Sequence, residues 1–292
     1  RIPRAVFSAS ELSEQLARVD TSQAERAPNG TGGVYFVGAD AESRVVFKPA
    51  AEENETTHGE GFLKEFAAYA VDSQHAGVPE TLISILDVQN EGPRLGAVQT
   101  YLAHHEDAED LGPNLFDTDD VHRIGILDIR IANCDRHSGN LLRHRETGRL
   151  RPIDHGTSFP SALLGGLADI SSEVFSYPQA RQPFSAANLQ MIEDIDIDQD
   201  LEKVNLIGLD EGAQLTMYMT ATILKLGASH GLTLHDIGAL VQRQGDRSKP
   251  SVLEQVFAQA VTETAAPQSP AESRDFFEAF EACALERIAS SM

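Results

Sequence analysis

Near residue 102 the spacing of apolar side chains changes period, which limits the fold more sharply than any other feature of the 292-residue chain. Upstream, Val34-Tyr35-Phe36-Val37 runs into a Gly38-Ala39-Asp40 turn signal, and Arg44-Val45-Val46-Phe47-Lys48 closes on Pro49, the pattern of a β-hairpin. A period of two sets Arg44, Val46 and Lys48 on one face of the second strand and Val45 and Phe47 on the other. Phe62, Phe66, Tyr69 and Ala70 then keep helical spacing over 61–74, with Glu65 in the second turn. Residues 78–86 and 96–102 read as two further strands. Downstream, an acidic loop over 104–120 leads to helices over 118–132, 211–231, 234–243 and 252–262. A Pro- and Ser-containing linker precedes a terminal amphipathic helix with Phe276, Phe277, Phe280 and Leu285. The expected class is α+β, a β-rich N-terminal lobe followed by a mostly helical C-terminal lobe.

Charge removes several functions. Lys and Arg number 23 against 45 Asp and Glu, a formal balance of −22, which opposes a nucleic-acid partner or unassisted binding to an anionic bilayer. Any phosphate must be held by local groups. Two cysteines, Cys134 and Cys283, exclude a disulfide scaffold and fit a reducing compartment. No apolar run approaches the ~18 residues of a membrane span. Arg1 stands where an initiator Met would, so the chain is read as trimmed.

The stretch Asn133-Cys134-Asp135-Arg136-His137-Ser138-Gly139-Asn140 leads through Leu141-Leu142 and a polar turn to Leu150-Arg151-Pro152-Ile153-Asp154. Pairing its two strands about Thr147 sets Asn140 opposite Asp154, with Cβ atoms ~5 Å apart. An amide oxygen and a carboxylate at that spacing suit a hard cation that keeps waters and is completed by phosphate oxygens. Asp135 nearby would accept a proton from an incoming hydroxyl, so the three residues make a phosphoryl-transfer set. The bland alternative is an exposed hairpin whose polar residues cap and turn. Gly30-Thr31-Gly32-Gly33 permits backbone N–H groups to approach phosphate, and Lys48, held by Glu65, would bring an ammonium to the same cleft.

These segments, in order, resemble the phosphatidylinositol 3-/4-kinase superfamily, and within it the type II and plant gamma-type phosphatidylinositol 4-kinases. The resemblance rests on Gly30 to Val37, Val46-Phe47-Lys48-Pro49, Gly59-Glu60 to Ala68-Tyr69, Ile124 to His137, and Pro152-Ile153-Asp154-His155-Gly156, and it runs over 30–243. It implies a two-lobed protein-kinase-like fold with an N-terminal extension over 1–28, an N-lobe over 29–103, a C-lobe over 104–262, and a linker and terminal helix over 263–292. Lys48 would contact the α- and β-phosphates of ATP and Glu65 would pair with it. Gly30, Thr31, Gly32 and Gly33 would cover the phosphates. Gln99 to Leu102 would form the hinge, with adenine on the backbone near Tyr101 and Leu102 beneath Val46. Asp135 resembles the catalytic-loop aspartate, and His137 the neighbouring histidine that shares the base or charge-stabilising role. Asn140 and Asp154 resemble the ligands of Mg²⁺ or Mn²⁺.

The resemblance therefore implies an ATP- and Mg²⁺-dependent phosphotransferase acting on the inositol ring of phosphatidylinositol. Alternatives are a Ser/Thr protein kinase on the same fold and a nucleotide-binding pseudokinase scaffold. The expected location is the cytoplasm or the cytosolic face of a membrane, with assisted peripheral contact. Across 152–180 there is no Lys or Arg, which disfavours acceptors already phosphorylated on the ring. Phe175 and Tyr177 stand near positions that face the membrane in relatives, and Phe159, Leu163, Leu164 and Leu167 face either lipid or core. Asp128 and Arg130 read as buried structural partners, and the acidic run 193–200 departs from a calcium loop at Gln199 and Asn205.

Overall fold

Alternate residues of the second hairpin strand face opposite ways, and this layers the N-terminal lobe. The computed structural model describes residues 11–27, 33–41, 43–52, 60–73, 75–163, 169–264 and 274–291. In β3 (Val45–Pro49), Val45 and Phe47 are fully buried, whereas Val46 and Lys48 are half-buried on the other face. β1 (Ala24–Arg26), β2 (Tyr35–Val37), β4 (Thr81–Asp87) and β5 (Pro93–Thr100) complete an antiparallel sheet in the order β1-β2-β3-β5-β4. Val45 and Phe47 join Tyr35, Val37, Val98 and Leu12 in one apolar cluster. α2 (Gly61–Asp72) packs on β4 and β5. Gly96 lets β5 approach β3 here, because a Cβ on it would lie 2.3 Å from the Lys48 carbonyl oxygen.

The segment read as an N-terminal extension differs from expectation. Leu12 of α1 (Glu11–Leu16) is buried under the sheet, and Ala24–Arg26 pairs with Val37–Tyr35 as its edge strand. Three residues are too few to display alternation. A second sheet was equally hidden. β6 (His105–Asp107), β7 (Leu141–His144) and β8 (Leu150–Pro152) lie side by side, and β6 falls inside the stretch expected to be an acidic loop. Its Glu106 stands 3.1 Å from Arg143 and 3.6 Å from Arg145, so cross-strand cations answer the charge that made it read as loop.

In the C-terminal lobe, α3 (Thr118–Arg130) starts from Asp117, whose carboxylate accepts from the N–H groups of Asp119 at 2.9 Å and Asp120 at 3.2 Å. α6 (Glu211–Ser229) is buried over most of its length, with α3, α4 (Ala186–Glu193), α5 (Ile197–Ile207), α7 (Leu234–Val241) and α9 (Arg274–Ser291) against it. α8 (Val252–Glu263) packs on α9. Neither α4 nor α5 was expected. The acidic run 193–200 is a helix start: Asp196 accepts from Gln199 N–H at 3.0 Å, and Asp198 and Asp200 suit the positive end of the α5 dipole.

Phe276 and Phe280 of α9 are buried, and Phe277 stacks on Tyr218 with ring centroids 3.8 Å apart. Phe159, Phe175 and Tyr177 are buried as well. They serve the core rather than a membrane-facing surface, because Phe175 lies against Gly238 of α7 and Tyr177 against Phe116. Leu163 is exposed, while Leu164 and Leu167 lie outside the described residues. Among the described residues no helix is long and apolar enough to cross a membrane.

Candidate active site

Lys48 reaches from the sheet to two carboxylates. Its Nζ donates to Glu65 Oε1, from α2, and lies 3.2 Å from Asp154 Oδ1 just beyond β8. Glu65 is nearly inaccessible and collects further donors. Gln99 Nε2 donates to its Oε2 at 3.1 Å and the His155 N–H to its Oε1 at 3.1 Å, while the His155 ring Nδ1 lies 3.4 Å from its Oε2 without a hydrogen bond. Burial opposes both charges, but Asp154 and Glu65 hold the Lys48 ammonium above its ordinary range. Lys48 and His155 in turn hold the Glu65 carboxyl well below the ordinary value.

The catalytic-loop candidates follow α3, where Ala132 takes φ +48° and turns the chain out of the helix. Asn133 Oδ1 accepts the Asp135 N–H at 2.9 Å, and Asn133 Nδ2 donates to Asp128 Oδ1 at 3.1 Å. Arg136 is completely buried. Its Nε is 3.2 Å from both oxygens of Asp128, and its Nη1 donates to the carbonyls of Asn140, at 2.9 Å, and Ile153. Ser172 Oγ donates to the same Asp128 at 2.9 Å. Asp128 is thus a buried structural partner, as is Arg130 through its pair with Asp200.

Asp135 and His137 are exposed, and His137 Nδ1 accepts the Gly139 N–H at 3.1 Å. Partial desolvation raises the Asp135 carboxyl, His137 lowers it, and Asp154 raises it again, leaving it above the ordinary value. Burial pushes the Cys134 thiol up to about 12, so it is no nucleophile at neutral pH.

The pairing expected for Asn140 and Asp154 is out by one residue. Leu141 faces Pro152, Leu142 faces Arg151 and Arg143 faces Leu150, which puts Asn140 beside Ile153, whose N–H donates to the Asn140 carbonyl at 3.0 Å. The cause is the turn, since Gly148 takes φ +73° and its N–H closes on His144 O at 2.9 Å. Asp154 departs from the ladder at φ +59°, and its half-exposed carboxylate is the one Lys48 meets. Asn140 Nδ2 donates to Asp135 O at 2.9 Å, so the amide oxygen is the end turned away from that carbonyl. An amide oxygen and a carboxylate are the donor chemistry a hard divalent cation takes.

Other expected residues divide. Val46 shares the Lys48 face and pairs with Gln99. Gln99 is buried, with its amide on Glu65 and on Thr81 Oγ1 at 3.0 Å, so its side chain supports Glu65 instead of opening to a ligand. Tyr101 and Leu102 are half-buried just past β5, with the Tyr101 ring edge-on to Phe36 at 5.7 Å. Gly33 is buried, and its N–H donates to Glu52 O at 3.1 Å. Gly30, Thr31 and Gly32 lie outside the described residues. Sequence reasoning assigned no role to His155; an imidazole directly after a candidate metal ligand was the available signal.

A family model described as phosphatidylinositol 3- and 4-kinase matches residues 58–236. Phosphatidylinositol 4-kinase gamma 4 of Arabidopsis thaliana is 32% identical over 281 residues, covering 80% of this chain and 49% of the relative. Phosphatidylinositol 4-kinase gamma 4 of Oryza sativa subsp. japonica is 33% identical over 270 residues, covering 79% and 47%. Phosphatidylinositol 4-kinase gamma 5 of Arabidopsis thaliana is 34% identical over 286 residues, covering 80% and 44%. The chain spans about half the length of the curated relatives it matches.

Proposed function

The chain belongs to the phosphatidylinositol 3- and 4-kinase family, and on that premise we propose that it transfers the γ-phosphoryl group of ATP to an inositol-ring hydroxyl of phosphatidylinositol, with Mg²⁺ or Mn²⁺. The observation that carries this is Lys48, held between carboxylates 17 and 106 positions away in the chain. Two anions around one ammonium fix its direction and keep it charged, ready for phosphate oxygens. Asn140 and Asp154 would hold the cation, which neutralises charge on the transferring phosphate. Gly33, with Gly30, Thr31 and Gly32, would cover the phosphates. Val46 and the backbone near Tyr101 and Leu102 would receive the adenine. Asp135 accepts the proton of the incoming hydroxyl, and His137 beside it stabilises the charge that develops. The balance of −22 supports membrane contact that is peripheral and assisted.

The test is label transfer from ATP to phosphatidylinositol in mixed micelles, with Asp154→Ala as the blank. Lipid label that disappears in the variant and on chelation of divalent cations is the expected result. Label on a protein acceptor alone would replace the lipid reading.

A further inference from the structure

Gly33 rests on a side chain that is held from outside the cleft. The glycine-bearing segment joins β1 to β2. Ala27 N–H donates to Val34 O at 2.8 Å at its base, and Gly33 N–H donates to Glu52 O at 3.1 Å. A Cβ on Gly33 would lie 2.5 Å from the Glu52 Cβ and 2.6 Å from its Cδ, so the backbone leans directly on that side chain and any larger residue would displace it. Glu52 ends the 3₁₀ turn Ala50–Glu52, which follows Pro49 at the close of β3. Only Pro49, Ala50 and Ala51 separate it from Lys48, and a proline followed by one tight turn is a link with little torsional freedom.

The Glu52 carboxylate is gripped on the side of Tyr35, a member of the Val45 and Phe47 cluster on the sheet face opposite Lys48. Its Oε1 accepts from the Tyr35 hydroxyl at 2.8 Å and from Arg94 Nη1, and Arg94 Nη1 also stands 3.3 Å from the Tyr35 oxygen. The Arg94 guanidinium lies 4.8 Å from the centroid of the Tyr35 ring. Arg26 adds a looser contact to Oε2 at 3.4 Å, through a side chain that is 63% exposed, and exposed pairs of that kind contribute little. Tyr35 is buried and the Arg94 side chain only 15% exposed, so these two make the grip.

The geometry differs from that of a pair that serves stability alone. Such a pair would use the guanidinium fork, two donors on two carboxylate oxygens. Here Nη1 meets Glu52, Tyr35 and, at 3.6 Å, Glu91, while Nε and Nη2 are buried without a partner among the described residues. Orphaned buried donors cost free energy. What the arrangement secures is the place of one carboxylate, reached from β2 by Tyr35 and from β5 by Arg94, with Gly33 lying against it.

Resting on the transfer reading above, we propose that Glu52 is a positioning residue for ATP: gripped by Arg94 and Tyr35, it holds Gly33 at a fixed distance from Lys48, so that the glycine turn and the ammonium address the same phosphates. Fixing that distance in the free protein removes an ordering cost from nucleotide binding. The grip touches neither nucleotide nor acceptor, so its effect falls on affinity for ATP and not on the chemical step.

The test reads kinetics and backbone exchange separately in wild type, Arg94→Gln, Arg94→Lys and Tyr35→Phe. Arg94→Gln is expected to raise KM for ATP about tenfold, with kcat and the KM for phosphatidylinositol little changed, and Arg94→Lys to recover part of the loss. Tyr35→Phe keeps the ring beside Arg94 and removes one donor, which should raise KM for ATP about fivefold. In the protein without nucleotide, amide exchange at Gly33 should quicken in Arg94→Gln while exchange in α3 stays as in wild type. Unchanged exchange at Gly33 would overturn the proposal whatever the kinetics. Faster exchange with KM for ATP unchanged would reduce the cluster to a staple of the sheet, overturning the positioning role and leaving the transfer reading in place. If wild type labels no lipid, the transfer reading falls and calorimetry with ATP and Mg²⁺ decides the grip: tenfold weaker binding in Arg94→Gln upholds it, and equal binding, or none to wild type, overturns it. Should Arg94→Gln fail to fold, Tyr35→Phe carries the same comparisons.

Discussion

Glu65 and Asp135 are two carboxylates of the candidate site in opposite circumstances. Glu65 is buried, accepts from Lys48, Gln99 and the His155 backbone, and is held far on the ionised side. Asp135 is exposed, no hydrogen bond reaches its carboxylate among the described residues, and its carboxyl is raised. On the proposed reading, the donor side is therefore organised in advance, whereas the acceptor side would keep a proton acceptor without a partner until a hydroxyl supplies one. Charge that must stay put is over-determined; charge that must change is left free to do so.

Substitutions can break that division. Lys48→Ala is expected to cost about 10³-fold in kcat/KM and to abolish the rise in Tm on adding nucleotide, because Glu65 and Asp154 lose their shared cation. Asp135→Asn should cost about 10²-fold in kcat while the nucleotide-induced rise in Tm persists. Loss of that rise in Asp135→Asn would show that the two sides are not separable.

A smaller effect sharpens the donor side. His155→Phe removes the ring nitrogen beside Glu65 but keeps the backbone donor, so kcat/KM should fall about tenfold, with His155→Gln restoring most of it. Equal rates in all three proteins would remove His155 from the site.

The smallest effect is a control outside both sides. Glu254 accepts from Arg243 at 2.6 and 2.9 Å and from Ser251 N–H at 2.7 Å. Burial raises its carboxyl, but these partners outweigh it and leave the group below its ordinary 4.5. Its stabilisation is then complete above 4.5 and is lost as pH falls through the lowered folded value. Glu254→Gln should lower stability by about 1 kcal/mol at neutral pH, converge with the parent in Tm under acid, and leave phosphoryl transfer unchanged.

Much of the N-terminal lobe was legible because β3 alternates clearly and α2 carries a full apolar face. What escaped did so for physical reasons. Ala24–Arg26 and His105–Asp107 are strands too short to show a period. α5 begins inside an acidic run that resembles a loop until Asp196 is recognised as its cap. In the site, Lys48, Glu65, Asp135, Asn140 and Asp154 were all named from the sequence, and the structure brings Lys48, Glu65 and Asp154 into one cluster. The register of Asn140 was not legible, because a turn of odd or even length reads alike until Gly148 takes its positive φ.

Arg136 has a bearing on motion. Through Asp128 it ties α3 to the carbonyl of Asn140 and to that of Ile153, the residue before Asp154. Helix, loop and hairpin are consequently tied into one block, which the Lys48–Asp154 pair joins to the sheet-bearing lobe. On the proposed reading, opening between Lys48 and Asp154 would release spent nucleotide while Asn140 and Asp154 keep their mutual spacing. Each catalytic cycle would then begin with the cation's seat already assembled.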